Sequence, residues 1–156
     1  MNTLVVALDV DGGVAALELA ARRASSAEDR ITLLACMRRP RLLAQAAGLL
    51  TGGGDVLADE LDRAAHARLA EIDSAVPWAG ATERLVRHGR AADAVRAALR
   101  ERAFDIVLVG APADPAAAAE LPALRTLVAR SGAVQLVGAA ARERARRPVA
   151  TGVPVG

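Results

Sequence analysis

The sequence contains no lysine, no tyrosine and only one residue each of tryptophan, phenylalanine and cysteine. With 1% aromatic residues it lacks the stacking platform that binds single-stranded nucleic acids, so we expect no nucleic-acid partner. One cysteine cannot form a disulfide within the chain. No apolar run approaches the roughly 18 residues of a membrane-spanning helix, and Met1 leads directly into strand-like residues. These absences predict a cytoplasmic protein without a membrane partner.

The residues that are abundant are small and apolar. The chain is 53% hydrophobic, mostly alanine, leucine and valine, and its 156 residues suffice for one domain with a core. Side chains of this size suit close packing of helices on a sheet. The net charge is only +2, and the one basic cluster, at 142–147, lies in a segment rich in arginine, proline and glycine. We predict one domain over residues 1–138 and a flexible tail over residues 139–156.

Short apolar runs alternate with segments of helical periodicity along the whole domain. Apolar or alternating runs typical of strands lie at 3–8, 30–37, 82–87, 104–110 and 133–138. Apolar residues recur at helical spacing over 13–27, 55–75, 88–102 and 117–130, with Asp55 as an expected N-cap. An irregular link with Pro40 and three glycines occupies residues 40–54.

Alternating strands and helices predict an α/β fold, a parallel sheet with helices on both faces. The first and fourth strands are the most apolar and should be central, whereas the polar–apolar alternation over 82–87 favours an edge. Both demands are met by five strands in the order 3-2-1-4-5. This order places a switch point between strands 1 and 4, where such sheets bind ligands, and those strands end at Asp9 and Gly110.

Four stretches resemble the universal stress protein family in their order and spacing. They are VVALDVDGGVAALELA at the first strand and helix, ITLLACM at the second strand, LVRHGRAADAVRAALRERAFDIVLVG up to the fourth strand, and LVARSGAVQLVG at the end. The match covers roughly residues 3–138. The resemblance implies a role in a stress or regulatory response and a homodimer paired through the last strand, here Ala133 to Gly138.

The resemblance also maps a nucleotide site onto this chain. In nucleotide-binding members, the aspartate ending strand 1 contacts the adenosine end of ATP, and a main-chain group near the end of strand 2 makes a further contact. These positions correspond to Asp9 and Cys36. A Gly-x2-Gly-x9-Gly-Ser/Thr motif after strand 4 holds the ribose and phosphates, and its first two glycines correspond to Gly110 and Ala113. These four residues are the candidate cofactor-binding set if ATP binding is retained.

Three of the four motif positions are lost in this sequence. Gly110 is a glycine, but Ala113 is not, and the final pair falls on Ala123–Leu124 or, with the last helix aligned instead, on Pro122–Ala123. Neither alignment gives a glycine followed by a hydroxyl residue. The motif is therefore degenerate.

The residues that replace the motif also oppose phosphate binding. Phosphate loops donate backbone N–H groups, and Pro112 and Pro115 have none to donate. Asp114 and Glu120 add negative charge that repels a triphosphate. We therefore predict a non-catalytic protein without a cofactor, a metal or catalytic residues, and keep an ATP-binding sensor acting through Asp9 and Gly110 as the alternative.

A second alternative begins from the stretch LDVDGG. It resembles the first motif of haloacid-dehalogenase-type phosphatases, in which Asp9 would be the nucleophile and Asp11 the general acid beside Mg²⁺. Such enzymes also need a basic residue and a later acidic cluster, and no lysine is present. The competing structural interpretation is a helix amino terminus, with Asp11 favourable at the dipole.

The remaining reactive side chains favour structural roles. His66 lies off the apolar stripe of its helix, and His88 lies in a strand-to-helix turn, so neither predicts a zinc site. Cys36 sits in an apolar run and is expected to be a small buried hydrophobe. Trp78, after a proline, is expected to cover an apolar edge or a partner surface.

Overall fold

A computed structural model of the chain describes residues 1–38, 53–131 and 134–137. Its elements in chain order are β1 (Asn2–Ala7), α1 (Val10–Arg23), β2 (Arg30–Met37), α2 (Gly53–Ala75), β3 (Thr82–His88), α3 (Ala91–Glu101), β4 (Ile106–Gly110), α4 (Pro115–Ala118), α5 (Leu121–Ser131) and β5 (Val134–Val137). The predicted tail, most of the predicted link and residues Ala133 and Gly138 lie outside the described residues.

The strands form one parallel sheet in the order β3-β2-β1-β4-β5. The α/β class, the parallel sheet and the order 3-2-1-4 are confirmed. β1 is central because it is apolar on both sides, and alternate residues enter different cores. Val5 and Ala7 pack with α1 and α2 on one face, whereas Leu4 and Val6 pack with α3 and α5 on the other. Because β1 and β4 are parallel neighbours in the sheet, their carboxyl ends lie side by side.

The edge strand β3 is rich in charge, and its charged side chains bind the helices on both faces. Successive residues of a strand point to opposite faces, so the pairs reach α2 and the end of α3 alternately. The pairs are Glu83–Arg102, Arg84–Asp73, Arg87–Glu101 and His88–Asp62. Charge along an edge opposes pairing with another chain, and each exposed pair adds little to stability.

Helix α1 begins earlier than predicted, at Val10 instead of residue 13, and ends at Arg23 instead of residue 27. Its N-cap is Asp9, whose side chain accepts a hydrogen bond from the N–H of Gly12 at 2.7 Å. Asp11 lies in the first turn, as the structural interpretation of LDVDGG predicts. The two glycines therefore lie inside the helix and not in a turn before it.

Helix α2 also begins earlier than predicted. It starts at Gly53, so Asp55 lies in the first turn and is not the N-cap. Val56, the first apolar residue of the periodic stretch 55–75, is 63% exposed. The fully buried positions of this helix begin at Ala65 and continue through Leu69 and Ile72. The amino-terminal turns of α2 therefore lie outside the core. The buried face of this helix is shorter than the apolar periodicity over 55–75 predicts.

The helix predicted over 117–130 is two helices. Asp114 caps α4 by accepting from the N–H of Ala116 at 3.1 Å, and Pro115 occupies the first turn, where its missing N–H costs nothing. A new helix, α5, begins at Leu121 with Pro122 in its first turn. Proline interrupts a helix from within but begins one well, so the two prolines divide the segment.

The amino terminus is tied to the entrance of β2 through buried Asp29. Its Oδ1 accepts from the Met1 ammonium at 2.6 Å, and its Oδ2 accepts from the N–H groups of Ser25 and Ser26 at 2.7 and 3.0 Å. The Met1 ammonium, followed by these two N–H groups, lowers the pKa of Asp29 to about 2. The same hydrogen bond raises the pKa of the Met1 amine.

We expect Asp29→Asn to be less stable than the wild type at pH 7, with a gap that narrows as the pH falls from about 4 to about 2. The folded pKa is depressed from the ordinary 3.8, so the carboxylate stabilises the fold above pH 4 and loses this effect as it becomes protonated. Thermal unfolding followed by circular dichroism checks this, with Glu28→Gln as the control for loss of one charge. A gap of equal size at pH 7 and pH 2.5 would contradict the assignment.

Candidate functional site

The switch point between β1 and β4 is the candidate site. β1 leads into Asp9 at the start of α1, and β4 ends at Gly110 before the turn that carries Ala113. The central position of both strands fixes the two turns beside each other. The structure thus brings three of the four predicted cofactor-binding residues together.

The half-buried carboxylate of Asp9 is fully engaged by the chain itself. Its Oδ1 accepts from the N–H of Gly12 at 2.7 Å. Its Oδ2 accepts from the N–H groups of Ala113 at 2.6 Å and Asp114 at 3.1 Å. The turn after β4 therefore keeps two amide donors between its prolines, and a carboxylate already occupies both. This arrangement is the intramolecular equivalent of an anion bound at a helix amino terminus.

Gly110 is required by packing. A methyl group at this position would overlap the backbone carbonyl of Gly12 in the first turn of α1. The overlap is with backbone, so no change of rotamer relieves it. The glycine at this first motif position is thus explained by the close approach of α1 to β4, without any bound phosphate.

A cavity of about 250 Å³ lies beside this switch point, under α4. Its lining residues are Leu8, Cys36, Arg38, Gly89, Ala91, Asp114, Ala116, Ala117 and Glu120. The wall is mainly apolar, whereas the charged groups come from the ends of β2 and α4. The fourth predicted residue, Cys36, therefore lines this cavity, together with Asp114, whose N–H binds Asp9.

Cys36 is a half-buried thiol without nucleophilic character. Burial, followed by the negative charge of Glu120, raises its pKa to about 12, and the positive charge of Arg68 opposes part of this shift. Because the thiolate is the reactive form, this side chain acts as a small hydrophobe in the wall of the cavity. That is the role predicted from the apolar run around it.

Glu120 has a structural role that the sequence did not reveal. Its Oε1 accepts from Arg38 at 3.4 Å, and its Oε2 accepts from the N–H of Ala91 at 3.2 Å. Ala91 is the first residue of α3, so Glu120 satisfies one of the free donors of that helix. Both acids expected to repel phosphate thus also serve the chain, since Asp114 caps α4.

The phosphatase alternative finds no support. Asp9, its nucleophile, is bound to three amides, and Asp11 is exposed in the first turn of α1. Within residues 1–38, 53–131 and 134–137, no three of the side chains of histidine, cysteine, aspartate or glutamate are grouped to hold a metal ion. Of the histidines, His66 is exposed, and Nε2 of His88 lies 2.7 Å from Oδ1 of Asp62.

A larger open groove, of about 750 Å³, lies at the opposite end of the sheet between the end of α1 and the loop after α2. Trp78 forms part of it. This side chain is half-buried against the core, and its Nε1 donates to the Thr82 hydroxyl at 2.8 Å. The tryptophan therefore covers an apolar edge, one of its two predicted roles, and is remote from the switch point.

Comparison with solved structures places the fold among known proteins. The hypothetical protein MJ0577 matches with a TM-score of 0.59 and 12% identity, over 88% of this chain and 94% of that chain. The hypothetical protein PH0823 matches with a TM-score of 0.56 and 16% identity, over 87% and 94%. These likenesses support the universal stress protein fold that the sequence resemblance predicts. At such identities they establish the fold alone.

A universal stress protein family member from Burkholderia pseudomallei matches at 22% identity over 87% of this chain and 94% of its own, with a TM-score of only 0.46. No protein-family model and no curated protein matches the sequence. In the described ranges, none of the helices has the length and apolar character needed to cross a membrane.

Proposed function

We propose that this protein is a universal stress protein-like regulatory protein that acts as a non-catalytic homodimer and has lost its nucleotide phosphate site. The observation that carries the proposal is the Asp9 carboxylate, which occupies the amides of Ala113 and Asp114 in the turn where phosphates would be held. On this proposal, the chain's own carboxylate fills the phosphate position of the crevice.

Energetics support the loss of phosphate binding. A polyphosphate in this turn would have to displace Asp9 from the two N–H groups of Ala113 and Asp114, and each hydrogen bond to a charged group is worth about 1.5–3 kcal/mol. The displaced carboxylate would then repel the phosphates, together with Asp114. Since each 1.4 kcal/mol is about tenfold in affinity, this cost removes several orders of magnitude.

We expect no binding of ATP with Mg²⁺ in isothermal titration at about millimolar nucleotide, because the donors are already satisfied. Binding at micromolar strength would instead favour the ATP-sensing alternative.

Phosphatase activity is tested separately with a generic phosphate ester, and we expect no hydrolysis. Hydrolysis that disappears in Asp9→Asn would contradict the non-catalytic proposal.

The proposed homodimer rests on β5, the outer strand beside β4. Its sequence, VQLV, carries no charge, in contrast to the charged edge at β3. An uncharged apolar edge favours pairing with a second strand. Light scattering should give twice the chain mass of 16.0 kDa, and Gln135→Lys should shift the protein toward monomer. A wild-type protein that is monomeric at about 100 μM would contradict this, since a stable dimer has a dissociation constant well below that value.

We also propose that the protein is cytoplasmic, holds no bound cofactor, and has neither a nucleic-acid nor a membrane partner.

A further inference from the structure

We propose that the cavity under α4 is a binding site for a small organic cation: an ammonium or guanidinium group on a short apolar chain. The inference rests on the proposed loss of phosphate binding and names the class of ligand that the altered crevice takes. It follows from the hydrogen-bond donors, the cavity wall and the carboxylates at its mouth.

Four amide donors around the crevice are satisfied by carboxylates of the chain. Asp9 takes the N–H groups of Gly12, Ala113 and Asp114. Glu120 takes that of Ala91, at the start of α3. Helix amino termini attract anions through such donors, so these four N–H groups, including the first one of α3, are not open to an anion. An anion placed against them would meet carboxylates instead of amides.

The cavity wall selects the rest of the ligand. Five of the lining residues are apolar or, like Cys36, behave as apolar: Leu8, Cys36, Ala91, Ala116 and Ala117. The volume of about 250 Å³ limits the ligand to a short chain. A body without polar groups suits this wall, because a polar group buried there would lack a partner.

The charged end of the ligand has a defined place at Glu120. Arg38 now binds Oε1 at a long 3.4 Å, and its side chain is 61% exposed, whereas Glu120 is 16% exposed. The carboxylate is thus held in place by the Ala91 amide, and its cationic partner is the loose member of the pair. A ligand cation can replace the Arg38 guanidinium on Oε1 while Oε2 keeps its bond to Ala91.

The electrostatics of the cavity wall agree with this assignment. At Cys36 the negative charge of Glu120 acts more strongly than the positive charge of Arg68, as the order of their effects on the thiol pKa shows. Asp114 adds a second carboxylate at the mouth. The lining therefore holds two carboxylates, Asp114 and Glu120, and one guanidinium, that of Arg38.

The test is an NMR titration of the full ¹⁵N-labelled chain with hexylammonium, and with hexanoate as the probe of equal length and opposite charge. We expect hexylammonium to shift the amide signals of Ala91, Ala116 and Ala117 in a saturable way, and hexanoate to bind at least about tenfold more weakly. The indole N–H of Trp78, in the distant groove, should not move.

Two variants identify the carboxylate. Glu120→Gln keeps an acceptor for the Ala91 amide but removes the charge, and we expect it to weaken hexylammonium binding about tenfold. Arg38→Ala removes the competing cation and should bind hexylammonium more tightly than the wild type. Thermal unfolding of both variants confirms that they fold.

Equal binding of the two probes, unchanged binding in Glu120→Gln, or no saturable shift in both the wild type and Arg38→Ala would overturn the cation site. A parallel titration with ATP and Mg²⁺ separates this result from failure of the proposed function. Shifts at Ala113 and Asp114 with the nucleotide would overturn the loss of phosphate binding. Silence with both the nucleotide and hexylammonium would overturn the cation site alone.

Discussion

Gly110→Ala is expected to lower the free energy of unfolding by about 3 kcal/mol or more, at the upper end of the cost of overpacking. The added methyl group would overlap the carbonyl oxygen, the carbonyl carbon and the Cα of Gly12. Since all three are backbone atoms, relief requires the start of α1 to move away from β4. That movement would also disturb the hydrogen bonds of Asp9 to both turns. Urea unfolding followed by Trp78 fluorescence measures the loss.

Gly89→Ala is the control for this variant. Gly89 has a φ of +114° and no heavy atom within 4 Å of the added carbon, so alanine meets backbone strain without overlap. We expect a cost of about 1–2 kcal/mol from the strained conformation. If Gly110→Ala costs no more than Gly89→Ala, the close approach of α1 to β4 is wrong. The glycine would then need another explanation, such as a bound ligand.

The sheet could be predicted from the sequence because its strands are short and their apolar patterns differ. Residues 4–8 are apolar at successive positions, which is typical of a strand buried on both faces, and residues 82–87 alternate. Those two patterns are enough to place β1 at the centre and β3 at the edge. The switch point with Asp9 and Gly110 followed from the order of the strands.

The contacts made by the candidate site could not be predicted in the same way. Asp9 binds an amide 104 residues later in the chain, and Glu120 binds Arg38 across 82 residues. An acidic side chain carries no sequence signal for a backbone partner at such distances. Pro112 and Pro115 mark missing donors, but no pattern in the sequence indicates that the amides of Ala113 and Asp114 between them bind a carboxylate.

Gly12 and Gly13 show that a glycine pair alone does not reveal which structural role it has. A glycine pair after an aspartate predicts a turn, because glycine is the usual residue there. In the structure both lie within α1, at positions where a larger side chain would not fit. A methyl carbon on Gly13 would lie 2.5 Å from Cδ1 of Ile72 and 3.0 Å from Cβ of Ala7. The same residue type thus serves conformation in a turn and packing in a helix, and only the neighbouring elements distinguish them.

Gly13→Ala is expected to destabilise the protein by about 1–2 kcal/mol, although alanine favours a helix by about 1 kcal/mol, because the overlap with Ile72 costs more. Unlike the overlap at Gly110, this one involves the end of a side chain and can be relieved. Ile72→Val removes Cδ1 and alone should cost about 0.5–1.5 kcal/mol. Urea unfolding of the two single variants and the double variant completes the cycle.

In that cycle the double variant Gly13→Ala/Ile72→Val should lose at least about 0.5 kcal/mol less than the sum of the single losses, because the valine leaves room for the new methyl group. Ile31→Val is the matched control, since Ile31 is buried in the same core but is not among the nearest neighbours of Gly13. Its loss should add to that of Gly13→Ala. Additive losses with Ile72→Val as well would show that α1 does not pack against α2 at this point, and the role of Gly13 in packing would be wrong.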